Sequence, residues 1–132
     1  MSESIKVSEI FPVTAKKLYT CWLDSSEHSA FTGTKAEIFP RVGEHYNAGN
    51  GYIHGSIISL QPYGRMVLSW RSTDFPDGVR DSRLEVLFEK SEKGTRVTFI
   101  HSEIPDGQGK MYEKGWKDHY FKPMKKYFRN HK

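Results

Sequence analysis

The side chains best suited to acid–base or nucleophilic work in this sequence are its six histidines and its single cysteine. His28, His45, His54, His101, His119 and His131 show no spacing that closes around a metal ion. There is no HExxH pair and no second cysteine beside Cys21, so no metal site is expected. Cys21 adjoins Trp22 and reads as a small buried hydrophobe rather than a nucleophile. Gly49 and Gly51 fall in a hairpin rather than ahead of a helix, so they make no phosphate cradle. His101 and His119 hold the most chemical promise. Meeting at a cavity end with Glu103 or Tyr120, they would hydrogen-bond a ligand or exchange protons with it. The plainer reading is two half-buried histidines at the rim of a core. No catalytic set and no cofactor is expected.

His119 belongs to the C-terminal stretch GWKDHYFKPMKKYFRNHK, whose rings need a broad surface to pack on. At about 100° per residue, Tyr112, Trp116, His119, Tyr120, Pro123 and Tyr127 share one face, widened by Met124 and Phe128. Lys110, Lys114, Lys117, Asp118, Lys125 and Arg129 lie opposite. The helix is predicted to run for roughly 23 residues, about 35 Å, from a cap at Asp106. Gly115 is expected to let it approach another backbone closely, and Pro123 to bend it.

The elements that must hold this helix precede it. SIKVSEI reads as a strand. A short helix capped by Thr14 follows, then a second, capped by Ser25 or Ser26 and stopped at Gly33. From Lys35 to Glu103 the pattern is of short strands joined by turns, with QPYG and FPDG read as type I turns. The order β-α-α-β-β-β-β-β-β-α implies an antiparallel meander with the last helix covering one face, an α+β domain spanning 1–132. Alternation turns Ile53, Gly55 and Ile57 inward, then Leu68 and Trp70, then Val86 and Phe88, then Val97, Phe99 and His101. Phe31 joins them from the second helix. Gly55 takes up no space on that face, so it is expected to leave room for a cavity under the helix.

Composition sets the limits. At 132 residues the chain is one domain, with a formal charge of +4 concentrated near the C-terminus. That excess suits a solvated helix face, and neither nucleic acid nor a membrane is an expected partner. A lone cysteine and the lack of a signal-like apolar run suggest the cytoplasm.

AFTG at 30–33, GYIHGSIISLQP, MVLSWRSTDFPDG and the final Gly115-Trp116 with Tyr120 and Pro123 together resemble the C-terminal domain of the activator of Hsp90 ATPase family. That family lies within the Bet v 1-like and START-like helix-grip superfamily. The resemblance implies a curved antiparallel sheet of six to seven strands wrapped around a long C-terminal helix, with two short helices after the first strand. It also implies an apolar small molecule beneath that helix, with an Hsp90-like chaperone as the alternative partner and a cavity-based hydrolase or cyclase as a lesser one. Two-domain members stimulate the chaperone with an N-terminal domain as well. This sequence opens directly on its first strand, so the expectation here is of binding rather than ATPase stimulation.

Overall fold

A computed structural model describes residues 2–131. The chain runs β1 (Ser2–Phe11), α1 (Ala15–Trp22), α2 (Ser25–Thr32), β2 (Glu37–Ile38), β3 (His45–Ala48), β4 (Ile53–Gln61), β5 (Arg65–Ser72), β6 (Ser82–Ser91) and β7 (Gly94–Pro105). It closes with α3 (Gly109–Gly115), a π-helical stretch (Trp116–Phe121) and α4 (Lys122–Asn130). The strands form one seven-stranded antiparallel sheet, ordered β1-β7-β6-β5-β4-β3-β2. From β2 to β7 it is a plain meander, and β1 returns to pair with β7. This is the helix-grip arrangement that the family resemblance implied, with the antiparallel meander that the order of elements implied.

Period-two alternation decides which face is dry. Leu84, Val86 and Phe88 of β6 and Val97, Phe99 and His101 of β7 point inward and are buried. The terminal helix lies over this face. Phe99 packs against Trp116 and Phe121, with ring centroids 4.8 and 4.9 Å apart. Phe31 of α2 meets Phe128 at 5.8 Å, closing the far end.

Thr14 caps α1 by accepting from the Lys17 amide at 3.1 Å, and Gly33 ends α2 with φ of 78°. Other local expectations are corrected. Asp24, not Ser25 or Ser26, caps α2 by accepting from the Glu27 amide at 2.9 Å. Ser25 Oγ instead takes the Ile38 amide at 2.8 Å and ties α2 to β2. At the start of α3 the cap position falls on Gln108 rather than Asp106, and the carboxylate of Glu3 accepts from the amides of Gly107 at 2.9 Å and Gly109 at 2.7 Å. In QPYG, Tyr63 at the third position has φ of 67°, which makes the turn type II rather than type I. In FPDG the turn moves on one residue, to Pro76–Val79, and puts Gly78 at the third position with φ of 80°.

The terminal helix is continuous over the predicted span, but its middle is wider than an α-helix. Tyr112, Trp116, Tyr120, Met124 and Phe128 repeat every four residues, and on an α-helix that stripe drifts about 40° per step. A π stretch turns less per residue and draws the rings back over the sheet. It also accommodates Pro123. Lys122 donates to the Lys117 carbonyl, five residues back, immediately before the proline that has no N–H to give.

Candidate functional site

A cleft of about 490 Å³ opens along the flank of the terminal helix. Its walls come from three places: Thr32 at the end of α2 and Thr34 just beyond it, Gly49, Tyr52 and Ile53 around the β3–β4 turn with Trp70 of β5, and the helix flank between Met111 and Tyr120. Ile53, Trp70, Tyr112, Trp116, His119 and Tyr120, all expected from sequence, meet here. Thr32, Thr34, Gly49, Tyr52, Met111, Lys114 and Asp118 also line it and were not expected. A turn and a helix flank carry no periodic signal for a shared wall.

Directly beneath the helix there is almost no space. A separate void of about 10 Å³, room for about one water at most, is bounded by residues including Ile57, Leu68, Ile53, Trp70, Trp116 and Tyr120. The last four are therefore a wall shared between void and cleft. Phe31, Val86, Phe88, Val97, Phe99 and His101 line neither opening and are packed in the core. The expectation of a deep groove under the helix is corrected: the rings interdigitate there, and the space lies to one side.

The expectations for the two glycines are also reversed. A Cβ on Gly55 would stand 2.0 Å from the Ser69 carbonyl oxygen and 3.0 Å from the Tyr46 ring. Gly55 therefore admits Tyr46, which crosses it to donate to that same carbonyl at 2.7 Å, and it leaves no room for a cavity. A Cβ on Gly115 would meet only His119 at 4.0 Å. Gly115 serves no close backbone approach; its missing side chain leaves the cleft wall open.

His101 and His119 do not meet. His119 is exposed at the cleft rim, and Glu103 is exposed at a position of positive φ on β7. His101 is fully buried and fully partnered. Trp116 Nε1–H, which can only donate, gives to His101 Nδ1 at 3.1 Å. His101 Nε2–H then donates to Ser82 Oγ at 2.7 Å, and Ser82 donates to the Trp70 carbonyl at 2.7 Å. Burial holds the imidazole neutral and pushes its pKa down to about 3. This chain of hydrogen bonds fixes the indole in the wall and leaves His101 nothing to offer a ligand.

His28 plays a matching part that sequence reasoning missed. It is buried, and its Nδ1–H donates to the Trp22 carbonyl at 2.8 Å. Its Nε2 must then accept, and the Tyr120 hydroxyl donates to it at 2.7 Å. Burial brings its pKa down to about 4 and raises that of Tyr120. Cys21 is buried beside Glu27, and burial pushes its thiol up to about 11.

Tyr112 joins the cleft to the loop after β5. It accepts from Ser72 Oγ at 2.6 Å and donates to Gln108 Oε1 at 2.7 Å, while Gln108 Nε2 reaches the Asp74 carbonyl at 2.9 Å. At the mouth, Asp118 is shared by Lys114 at 2.9 Å and Lys122 at 3.0 Å. Their hydrogen bonds hold the Asp118 carboxyl down at about 2. Among the described residues no histidine, cysteine, aspartate and glutamate side chains group to hold a metal ion, and no helix is long and apolar enough to cross a membrane.

The architecture is shared with known structures. An HSP90 activator from Plasmodium falciparum superposes with a TM-score of 0.80 at 21% identity, over 90% of this chain and 91% of that one. Protein CV1439 from Chromobacterium violaceum gives 0.78 at 18% identity, over 95% and 96%. These likenesses establish the fold. In sequence, the human activator of 90 kDa heat shock protein ATPase homolog 1 is 23% identical over 124 residues, 94% of this chain and 36% of that protein. The chain spans about a third of the length of the curated relatives it matches. The profile of one family covers residues 12–129, from the foot of β1 to the last turn of α4. The chain belongs to the family described as activator of Hsp90 ATPase homolog 1-like protein.

Proposed function

We propose that this domain binds an apolar or aromatic small molecule in the cleft flanking its terminal helix and does not transform it. The observation that carries this reading is a cleft of about 490 Å³ walled by Tyr52, Ile53, Trp70, Tyr112, Trp116 and Tyr120 and left open by Gly115. That volume falls within the roughly 300–1,000 Å³ of small-molecule sites, whose walls are mostly rings and aliphatic groups. Binding without turnover fits the ionisable groups nearby. Asp118 and Lys114 are paired with each other, His101 and His28 have no free nitrogen, and the one histidine in the lining, His119, stands exposed at the rim without meeting His101.

Gly115→Leu provides the test. It extends a side chain into the cleft from a helical position with no neighbour to clash, so the fold should stand. An environment-sensitive apolar dye should bind the native domain and be displaced by small aromatic compounds, and the leucine variant should lose that binding while melting as sharply as the parent. Equal dye binding by both proteins would overturn the reading.

The names of the human and Plasmodium relatives favour a second reading, contact with an Hsp90-like chaperone. The basic face of the terminal helix or the loop at 73–81 would serve it. Arg71 braces that loop through the Val79 carbonyl at 2.7 Å and Asp81 at 2.8 Å. Retention of purified Hsp90 by the folded domain, unchanged in Gly115→Leu, would favour this reading over the first.

A further inference from the structure

The charges at the cleft mouth say more about the occupant than its walls do. Asp118 is the one carboxylate lining the cleft, and both its oxygens are engaged: Oδ2 by Lys114 and Oδ1 by Lys122, at 2.9 and 3.0 Å. Two ammonium groups therefore flank one permanent anion, and the cluster carries a surplus positive charge. Lys114 stands in the lining itself with its side chain 81% exposed. An ammonium has three donors, and Asp118 occupies one of those on Lys114. The hydroxyls near the other side of the mouth are already engaged, since Thr32 Oγ1 donates to the His28 carbonyl at 2.9 Å and accepts from the Thr34 amide at 3.3 Å.

Deeper in, the polar atoms face away from the cleft. The Trp116 indole N–H is committed to His101, the Tyr120 hydroxyl to His28 and the Tyr112 hydroxyl to Gln108. The inner cleft thus presents ring faces and edges, and an unsatisfied polar group placed there would bear its full desolvation cost. The two ends ask for different chemistry: an apolar body inside and an anion at the rim.

We infer that the cleft takes an amphipathic acid, a flat apolar body carrying one carboxylate, with the body against Trp70, Trp116 and Tyr120 and the carboxylate on Lys114. This rests on the cleft being a binding site, as proposed above, and adds the class of ligand. A cationic amphiphile meets the surplus positive charge and is disfavoured. A neutral one binds by its body alone. The pairing at the rim is solvent-exposed, so it selects among ligands and adds little affinity.

Three probes with the same rings separate the cases: naphthoate, naphthamide and naphthylmethylamine, titrated by NMR against the whole chain at low and high salt. Naphthoate should bind about three- to five-fold more tightly than naphthamide, the scale of one exposed ion pair. The amine should bind most weakly, and high salt should compress the series. Lys114→Gln should bring the ratio of acid to amide close to one. Lys110→Gln, on the same helix but outside the cleft, should leave that ratio where it was and so separate local charge from net charge. Equal binding of acid and amide by the native chain, or tightest binding by the amine, overturns the acid preference while the cleft remains a site. If none of the probes binds, or if Gly115→Leu binds all three like the parent, the underlying reading fails and this inference goes with it.

Discussion

His101 and His28 are kept neutral by desolvation and by hydrogen bonds that use both nitrogens of each ring. In the unfolded chain each titrates near 6.5, whereas in the fold they titrate near 3 and 4. Between pH 6.5 and about 4 the unfolded chain therefore takes up protons that the folded one refuses. The histidines' contribution is level above this window and falls as pH drops through it, by up to about 1.4 kcal/mol per pH unit for each proton. Glu3 and Asp118, whose carboxyls are both lowered, lose their contributions only further down, so the stretch from pH 6.5 to 5 belongs to the histidines. Urea melts across that range should show the slope, and His28→Gln should halve it. A flat profile would mean that the fold tolerates a charged imidazole. The sequence displayed both histidines but not their states, because the indole and hydroxyl that fix them arrive from 15 and 92 residues away.

For the secondary-structure elements, the terminal helix and strand β4 give opposite lessons about small and rigid residues. Pro123 in a regular helix interior would cost about 3 kcal/mol. Here it follows a π stretch that the four-residue spacing of the rings requires in any case, so Pro123→Ala should change stability by less than about 1 kcal/mol in denaturant melts. A gain near 3 kcal/mol would mean that the proline, and not the ring spacing, forces the wide turn. Gly55→Ala should behave differently, since its Cβ would collide with the Ser69 carbonyl and separate β4 from β5 at a cost of about 3 kcal/mol or more. Loss of less than about 1 kcal/mol would show that the strand can slide to make space. Element order, the Thr14 cap and the Gly33 stop were legible because neighbouring residues determine them. The α2 cap was expected at Ser25 or Ser26 and lies at Asp24, because three good acceptors stand side by side and local sequence does not choose among them. The carboxylate at the start of α3 was invisible because Glu3 lies 104 residues from Gly107.

Across the whole molecule, the pattern of apolar residues identified the core but not where packing would fail to fill it. Alternation placed Phe99, Val86 and Val97 inside, and they are inside. Whether such rings enclose space or fill it depends on their volumes fitting together, which no single strand records. The wall between cleft and void gives the molecule an optical property as well. All three tryptophans are buried, and Trp70 and Trp116 stand 5.6 Å apart at 53° in the cleft wall, while Trp22 lies behind Tyr120. Native emission should therefore be short in wavelength and poorly quenched by acrylamide. The close indole pair should also give a coupled near-ultraviolet circular dichroism signal that disappears in Trp116→Phe. An occupant of the cleft would touch two of the three emitters and leave the third dark to it, so the fraction of light it quenches would report where it sits without any added label.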